Sequence, residues 1–373
     1  MYHRALTNTI LTKFGKGKAI ILVGPRQVGK TTLIRELLKE KSHLFLDGDD
    51  PTVRQLLNNP NTEQIKTILG TNKLVFIDEA QRIKGLGLTL KIITDQLKDV
   101  QLLISGSSAF DLKSEFNEPL TGRKWEYQLL PISWEEYEEK QGLIIGEQQL
   151  ENRLIFGMYP DVLNNPNEER DVLKNLVDSY LYKDILALED IRKPEVLDKL
   201  LQALAFQIGS EVNYTELSQL VGVDKNTVSK YIDILQKGYV IFKLGGFSRN
   251  LRNEIKSTRK IYFYDNGLRN LIIGNFTPFA MRADKGALWE NFLISERIKQ
   301  NWYKNTLAKT YFWRTKQQQE IDFIEEKEGE ISAYEFKWKD RKNKKFPTTF
   351  TSNYNTKTHY IDRENFRSFV KII

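Results

Sequence analysis

Residues 24 to 32 read Gly24-Pro25-Arg26-Gln27-Val28-Gly29-Lys30-Thr31-Thr32. The spacing G-x-x-x-x-G-K-[ST] suits the binding of phosphates. Backbone N–H groups of such a loop cradle them, the lysine (Lys30) reaches the β- and γ-phosphates, and the hydroxyl (Thr31) ligates Mg²⁺. The cofactors implied are ATP and Mg²⁺, and all the residues from Gly24 to Thr32 are candidate nucleotide contacts. A second motif, "LVFIDEA" (74–80), is an apolar run ending in two acids. Asp78 is the candidate to hold Mg²⁺. Glu79 is the candidate to orient and polarise the attacking water, which points to hydrolysis rather than binding alone. Ser105 and Ser107, at the end of "VQLLISGSS" (100–108), are placed to meet a γ-phosphate or are polar strand ends and no more. Arg123, in "LTGRKWEY", is either a surface arginine or one that acts in trans on a neighbour's nucleotide.

A second constellation lies in "IDFIEEKEGEISAYEFKWKD" (321–340). Gly329 sits in a polar turn between two runs of β-formers, so the segment predicts a hairpin. With the turn centred on Glu328-Gly329, Asp322 faces Glu335 across the two strands. Opposed carboxylates repel. A divalent cation between them turns repulsion into ligation, with Lys337, on the same face, orienting a water; this is the chemistry of phosphodiester hydrolysis. Three other readings stand beside it: a register slipped by one residue, an exposed sheet edge whose charges discourage aggregation, and a fold inherited without activity.

These residues need elements to hold them. "AIILVG" (19–24), "HLFLDGDD" (43–50), "NKLVFIDEA" (72–80), "VQLLISGSS" (100–108) and "KWEYQLLP" (124–131) read as strands, with helical segments between them. Alternation of this kind predicts a parallel α/β sheet with the phosphate loop between its first strand and first helix. Residues 131–204 read as mostly helical. "NYTELSQLVGVDKNTVSKYIDILQKGYVI" (213–241) has the pattern of a helix-turn-helix. Thr215 is a candidate cap, Gly222 allows the turn, and Val228, Ile232 and Leu235 recur at helical spacing. The exposed face of its second helix carries Lys225, Asn226, Thr227, Ser229 and Lys230, side chains able to reach phosphates or base edges. "YVIFKLGGF" (239–247) and "KIYFYD" (260–265) are expected to pair as a wing, with Arg249, Arg252, Lys256, Arg259 and Lys260 in or beside their connection. DNA is the partner this implies; packing between domains is the other use of such a fold.

Composition narrows the choice. The chain has 373 residues, 40% hydrophobic and 28% charged, a net charge of +7 and no cysteine. That length predicts more than one domain. Without cysteine there is no disulfide and no thiolate metal site, and three histidines exclude a histidine-rich one. No run approaches the roughly 18 apolar residues of a membrane helix. No membrane partner is expected, and the expected location is the cytoplasm.

"GPRQVGKTT", "LVFIDEA", "LLISGSS" and "LTGRKWEYQLLPISWEEY" together resemble the AAA-type P-loop ATPases of bacteria and archaea, in particular the group that carries an uncharacterised, nuclease-like C-terminal domain. "MYPDVL" (158–163) and "YLYKDI" (180–185) follow in the same order, although that group's usual Gly-Gly before Tyr-Pro is Gly157-Met158 here. The C-terminal residues resemble the D…E-x-K core of restriction-endonuclease-like folds. That resemblance implies roles for Glu290, on the first helix of the module, and for Asp322, Glu335 and Lys337, with Tyr311 and Arg314 in the same unit. The group's frequent glycine before Glu-x-Asp is Gln318 here.

The expected fold is therefore α/β in three units: a parallel-sheet P-loop ATPase domain (1–190), a winged-helix domain (191–274) and a restriction-endonuclease-like domain (275–373). The expected function is Mg²⁺-dependent ATP binding and hydrolysis, with DNA binding and a C-terminal domain that cleaves or grips DNA. The contrasting expectation is a nucleotide-driven switch whose C-terminal domains bind DNA or protein without catalysis. A homo-oligomer is implied if Arg123 works in trans.

Overall fold

Ala19–Val23 is buried along its whole length. A strand achieves this inside a parallel sheet covered on both faces, where near-continuous apolar runs replace alternation. The computed structural model, which describes residues 1–107, 119–179, 193–248, 259–339 and 345–371, places this run there. Strands β1 (Ala19–Val23), β2 (Leu44–Asp47), β3 (Leu74–Asp78), β4 (Gln101–Gly106) and β5 (Lys124–Gln128) form a five-stranded sheet in the order β2-β3-β4-β1-β5. Each neighbouring pair in it is parallel. The helix Lys30–Leu38 buries Leu33, Ile34, Leu37 and Leu38, and Leu86–Gln96 buries Leu86, Leu90 and Ile93. In a parallel sheet the loops after the strands gather at the carboxyl edge, and that is where the phosphate loop and the Asp78-Glu79 pair emerge.

The chain divides into two compact units, residues 1–132 and 133–373. In the second, β6 (Glu211–Val212), β7 (Ile241–Gly246), β8 (Arg259–Phe263), β9 (Lys309–Arg314), β10 (Glu320–Lys327), β11 (Glu330–Phe336) and β12 (Thr356–Ile361) make a seven-stranded mixed sheet, ordered β12-β11-β10-β9-β7-β8-β6. The expected boundaries at 190 and 274 differ from this division. β7 and β8 do pair as an antiparallel hairpin, but β7 also pairs in parallel with β9. The hairpin is thus built into the sheet of the C-terminal strands instead of standing free as a wing. Helical residues before 190 belong to the same unit: buried Asn266 and Asn270 donate to the carbonyls of Leu154 and Ile155 at 3.2 and 2.7 Å. "YLYKDI", Arg249, Arg252, Lys256 and Asp340 lie outside the described residues.

Two departures from the resembled group have a physical reading. Gly157 has φ +77°, and a Cβ there would lie 2.0 Å from Asp265 Oδ1, so this glycine is required. The next position has no such demand: Met158 is buried, and its N–H donates to Asp265 Oδ2 at 2.7 Å. Gln318 keeps the backbone a glycine would favour, with φ 64°.

Candidate functional site

The phosphate loop opens at Gly24, where a Cβ would meet Leu129 O at 2.0 Å, and closes at Gly29, whose φ of 91° starts the helix Lys30–Leu38. Gln27, exposed at the loop tip, also takes a positive φ, 60°. Lys30 is 6% exposed and folds over the loop, donating to Gly24 O at 3.0 Å and Pro25 O at 2.7 Å. Beside it the Thr31 hydroxyl donates to Asp78 Oδ2 at 2.8 Å. Asp78 is buried, and its other oxygen accepts from the Ser105 hydroxyl and from the Glu79 N–H. β3 and β4 are sheet neighbours, and this is what brings Ser105 to Asp78. Thr31 and Asp78 are therefore already in contact, as a Mg²⁺ site requires of its protein side, and the residues present fit that ion.

Glu79 sits directly after β3 with left-handed φ and ψ of 47° and 42°. A non-glycine residue held there stores backbone strain, and such strain concentrates at functional sites. Gly48 permits it. The Gly48 N–H donates to Asp78 O at 2.9 Å, and a Cβ at this glycine would lie 2.4 Å from Glu79 O. Arg123 is not brought to this edge. It precedes β5, whose Lys124 pairs with Ala19 at the start of β1, and it donates to Asp95 Oδ1 at 2.5 Å. The loop lies at the other end of the same strand, about 15 Å away at the usual rise per residue.

Sequence reasoning missed Arg4. It is buried, and it donates to Val28 O at 2.7 Å and to Leu130 O at 2.6 Å, which ties the loop to the segment after β5. No motif marks it; a lone arginine near a chain start carries no signal of burial.

In the second unit the hairpin forms with the expected turn. Glu328 and Gly329 take φ of 52° and 84°, the positive pair of a type I′ turn. The register pairs Phe323 with Tyr334 and Lys327 with Glu330, so Asp322 faces Glu335. Asp322 and Glu335 are 8% and 4% exposed, and β11 is paired on its far side with β12. The slipped register and the open edge both fall away.

The compensating charge comes from Lys337. Its Nζ lies 3.5 Å from Asp322 Oδ2 and 3.2 Å from Glu335 Oε2. Burial works against this ammonium, but the charges of Asp322 and Glu335 outweigh it and raise its pKa. The Phe336 N–H also donates to Asp322, at 2.8 Å. Lys337 therefore stands on the same side as both acids, as the pattern predicts. Among the described residues no group of three or more acidic or histidine side chains is arranged to hold a metal ion.

Glu290 joins the same cluster from the helix Lys285–Lys304, accepting from Tyr262 OH at 2.6 Å and lying 3.3 Å from Lys260 Nζ. Lys260 was expected near the connection of a DNA-facing wing. Instead its side chain is 2% exposed and also contacts Glu320 at 2.5 Å. It shares a face of β8 with Tyr262, and on that face both meet Glu290 of the helix Lys285–Lys304. Arg314, on β9, reaches Glu320 Oε2 at 3.8 Å, whereas Tyr311 packs edge-on against Phe247. Burial of Lys260 opposes its charge, and Glu290 and Glu320 more than restore it.

Burial pushes the Glu290 carboxyl from 4.5 up to about 7; Lys260 opposes the shift and the charge of Asp322 adds to it. A raised carboxyl binds its proton more tightly in the folded state, so the penalty is absent below the unfolded pKa and complete above the folded one. Relative to Glu290→Gln, the wild type is expected to lose about 2–3 kcal/mol of stability as pH rises from 5 to 8. Urea unfolding of the two proteins across that range checks this; parallel curves would contradict it.

The helix-turn-helix is present as two helices, Tyr214–Val221 and Lys225–Lys237, with Gly222 at φ 73° between them. Asn213, not Thr215, caps the first, accepting from the Thr215 N–H at 2.9 Å. Asp224 caps the second, accepting from Asn226 N and Thr227 N at 2.8 and 3.0 Å. Val228, Ile232 and Leu235 are buried, and Lys225, Asn226 and Lys230 are exposed. The Thr227 hydroxyl turns to Asp224 at 2.6 Å and belongs to the cap.

Matches to known families fall in three segments of the chain. Residues 16–138 match the model of an AAA domain. Residues 147–278 and 285–368 match two domains of unknown function, DUF8612 and DUF4143. An uncharacterised protein of Mycobacterium tuberculosis is 28% identical over 331 residues, covering 86% of this chain and 70% of the relative. An uncharacterised protein of Methanocaldococcus jannaschii is 21% identical over 379 residues, covering 91% of this chain and 83% of the relative. Among solved structures, a Walker-type ATPase of Pyrococcus abyssi aligns with a TM-score of 0.49 and 17% identity, over 73% of this chain and 96% of that one. The AAA-domain match and the loop geometry agree on a P-loop ATPase-type domain in the first unit, followed by a further α/β unit. No helix among the described residues is long and apolar enough to cross a membrane.

Proposed function

We propose that the chain binds ATP at Gly24–Thr32 and hydrolyses it, and that the second unit grips duplex DNA under control of that cycle. The observation that carries the first part is the convergence at one sheet edge of Lys30, Thr31, Asp78 and Glu79, with Thr31 on Asp78 and Glu79 held in a strained backbone. Lys30 exchanges its loop carbonyls for phosphate oxygens, and the loop N–H groups take the rest of the anion. Thr31 and Asp78 hold Mg²⁺, which supplies neutralising charge to the phosphates. Glu79 orients the attacking water and takes its proton as the new O–P bond forms and the bond from the γ-phosphorus to the bridging oxygen breaks, with ADP leaving. Phosphate release from purified protein, with Lys30 and Glu79 variants beside it, tests this reading.

For the DNA part, the support is the exposed Lys225, Asn226 and Lys230 on a capped, well-anchored second helix. Lys225→Glu with Lys230→Glu is expected to weaken duplex binding by at least about tenfold and to flatten its salt dependence by about two units of slope. Equal binding and slope in a fluorescence-anisotropy titration would remove the helix from the interface.

Two uses of the buried acid cluster compete. Cleavage is favoured by the opposed Asp322 and Glu335 with Lys337 alongside; the test is nicking or cutting of linear, circular and single-stranded DNA with Mg²⁺ or Mn²⁺, and its loss in Asp322→Ala. Binding without cleavage is favoured by Lys260, which already contacts Glu290 and Glu320. The second is the reading the geometry supports better, and metal-dependent cutting that Asp322→Ala abolishes would reverse the choice. For assembly into a homo-oligomer with Arg123 acting in trans, the support is the residue type and its exposed position, where it forms a surface ion pair with Asp95.

A further inference from the structure

One side chain outside the motifs touches the proposed base. Gln81 lies in the single turn of 3₁₀ helix Ala80–Arg82 that follows Glu79. Its Nε2 donates to Glu79 Oε2 at 2.5 Å and to Ser107 Oγ at 3.0 Å, and its Oε1 accepts from the Ser107 N–H at 3.2 Å. The amide has one orientation that works. The Ser107 N–H needs an acceptor and the Glu79 carboxylate needs a donor, so oxygen must face Ser107 and nitrogen must face Glu79. Both amide hydrogens and the carbonyl oxygen are then used.

Ser107 is placed to make this link matter. It follows β4, whose Gly106 pairs with Val23, so it stands beside Gly24, where the phosphate loop begins. Glu79 leaves β3, the neighbour of β4. Gln81 therefore bridges the acid that addresses the water to the strand end nearest the loop. A flexible glutamate has many rotamers, and a fixed donor leaves it few.

We infer that Gln81 is a positioning residue: it holds the Glu79 carboxylate at its working place and ties that place to Ser107 beside the bound phosphates. This rests on the hydrolytic reading above. The test compares steady-state hydrolysis and binding of a fluorescent ATP analogue in the full-length wild type, Gln81→Ala, Gln81→Glu, Ser107→Ala and the Gln81→Ala/Ser107→Ala double variant. Loss of orientation lowers kcat, not affinity. Gln81→Ala is expected to lower kcat about tenfold or more, with KM and nucleotide Kd within about twofold. Gln81→Glu keeps an acceptor for Ser107 but has no N–H for Glu79, and it is expected to fall as far. Ser107→Ala loses less, because its N–H still holds Gln81, and the double variant is no worse than Gln81→Ala alone, since both act through one link.

An unchanged kcat in Gln81→Ala or Gln81→Glu overturns the inference. So does a rise in KM at constant kcat, or losses that multiply in the double variant. Failure of the underlying reading looks different: the wild type itself binds the analogue and releases no phosphate, and the inference then falls with it.

Discussion

Lys30→Ala is expected to lower ATP affinity by about two orders of magnitude and to leave no measurable turnover. The lysine is enclosed by the loop it serves, and its ammonium donates to two carbonyls of that loop, Gly24 and Pro25. Both are weak acceptors beside a triphosphate, so the same donors strengthen when phosphate oxygens replace them. A charge-assisted bond contributes about 1.5–3 kcal/mol net, enough for a 10- to 150-fold change in binding. Alanine has no donor. Lys30→Arg is not expected to rescue it, because a planar guanidinium does not fit where a compact ammonium is 6% exposed. Equilibrium dialysis with ATP and Mg²⁺ measures the loss; near-normal affinity in Lys30→Ala would place the nucleotide elsewhere.

The second large effect belongs to the other unit. Lys260→Met is expected to destabilise it by about 3 kcal/mol at pH 8, and by clearly less at pH 5. The side chain is 2% exposed and contacts Glu290 at 3.3 Å and Glu320 at 2.5 Å. Methionine fills a similar volume but leaves two acids facing each other and Asp322. Removing one partner of a buried pair costs more than the pair itself contributes, since a buried charge is left uncompensated. The cost is moderated by the 29% exposure of Glu320 and by Arg314 at 3.8 Å from it. It shrinks in acid because Glu290, already raised to about 7, takes up a proton and ceases to need the lysine. Urea unfolding followed by tryptophan fluorescence reads the change. A loss below about 1 kcal/mol at both pH values would mean that Lys260 carries little of the cluster's charge balance.

The sequence made the first unit legible because its signals are local. Five apolar runs became five strands, and the G-x-x-x-x-G-K-[ST] spacing dictated where helix meets loop. The hairpin was legible for the same reason: a two-residue turn sets the register of both strands, and one glycine located it. What could not be read is long-range pairing. Gly245 pairs with Tyr311, and no feature of either segment announces the other. The helix Lys285–Lys304 brings Glu290 onto the face of β8 that carries Lys260 and Tyr262, and Lys260 is buried there, although a lysine at the start of an apolar run reads as a solvated strand end. Gln81 was hidden in another way. A glutamine two residues after an acidic pair becomes meaningful only when β4 brings Ser107 beside it.

The most direct test of the account is phosphate release under saturating ATP and Mg²⁺ from wild type and Glu79→Gln, with nucleotide affinity measured on the same samples. Glutamine keeps the size and polarity of Glu79 but cannot accept a proton from water or polarise it as a carboxylate does. Turnover is expected in the wild type, with a fall of at least about a hundredfold in Glu79→Gln and affinities within a few-fold of each other. Equal turnover in the two proteins, or a wild type that binds ATP and releases no phosphate, would contradict it.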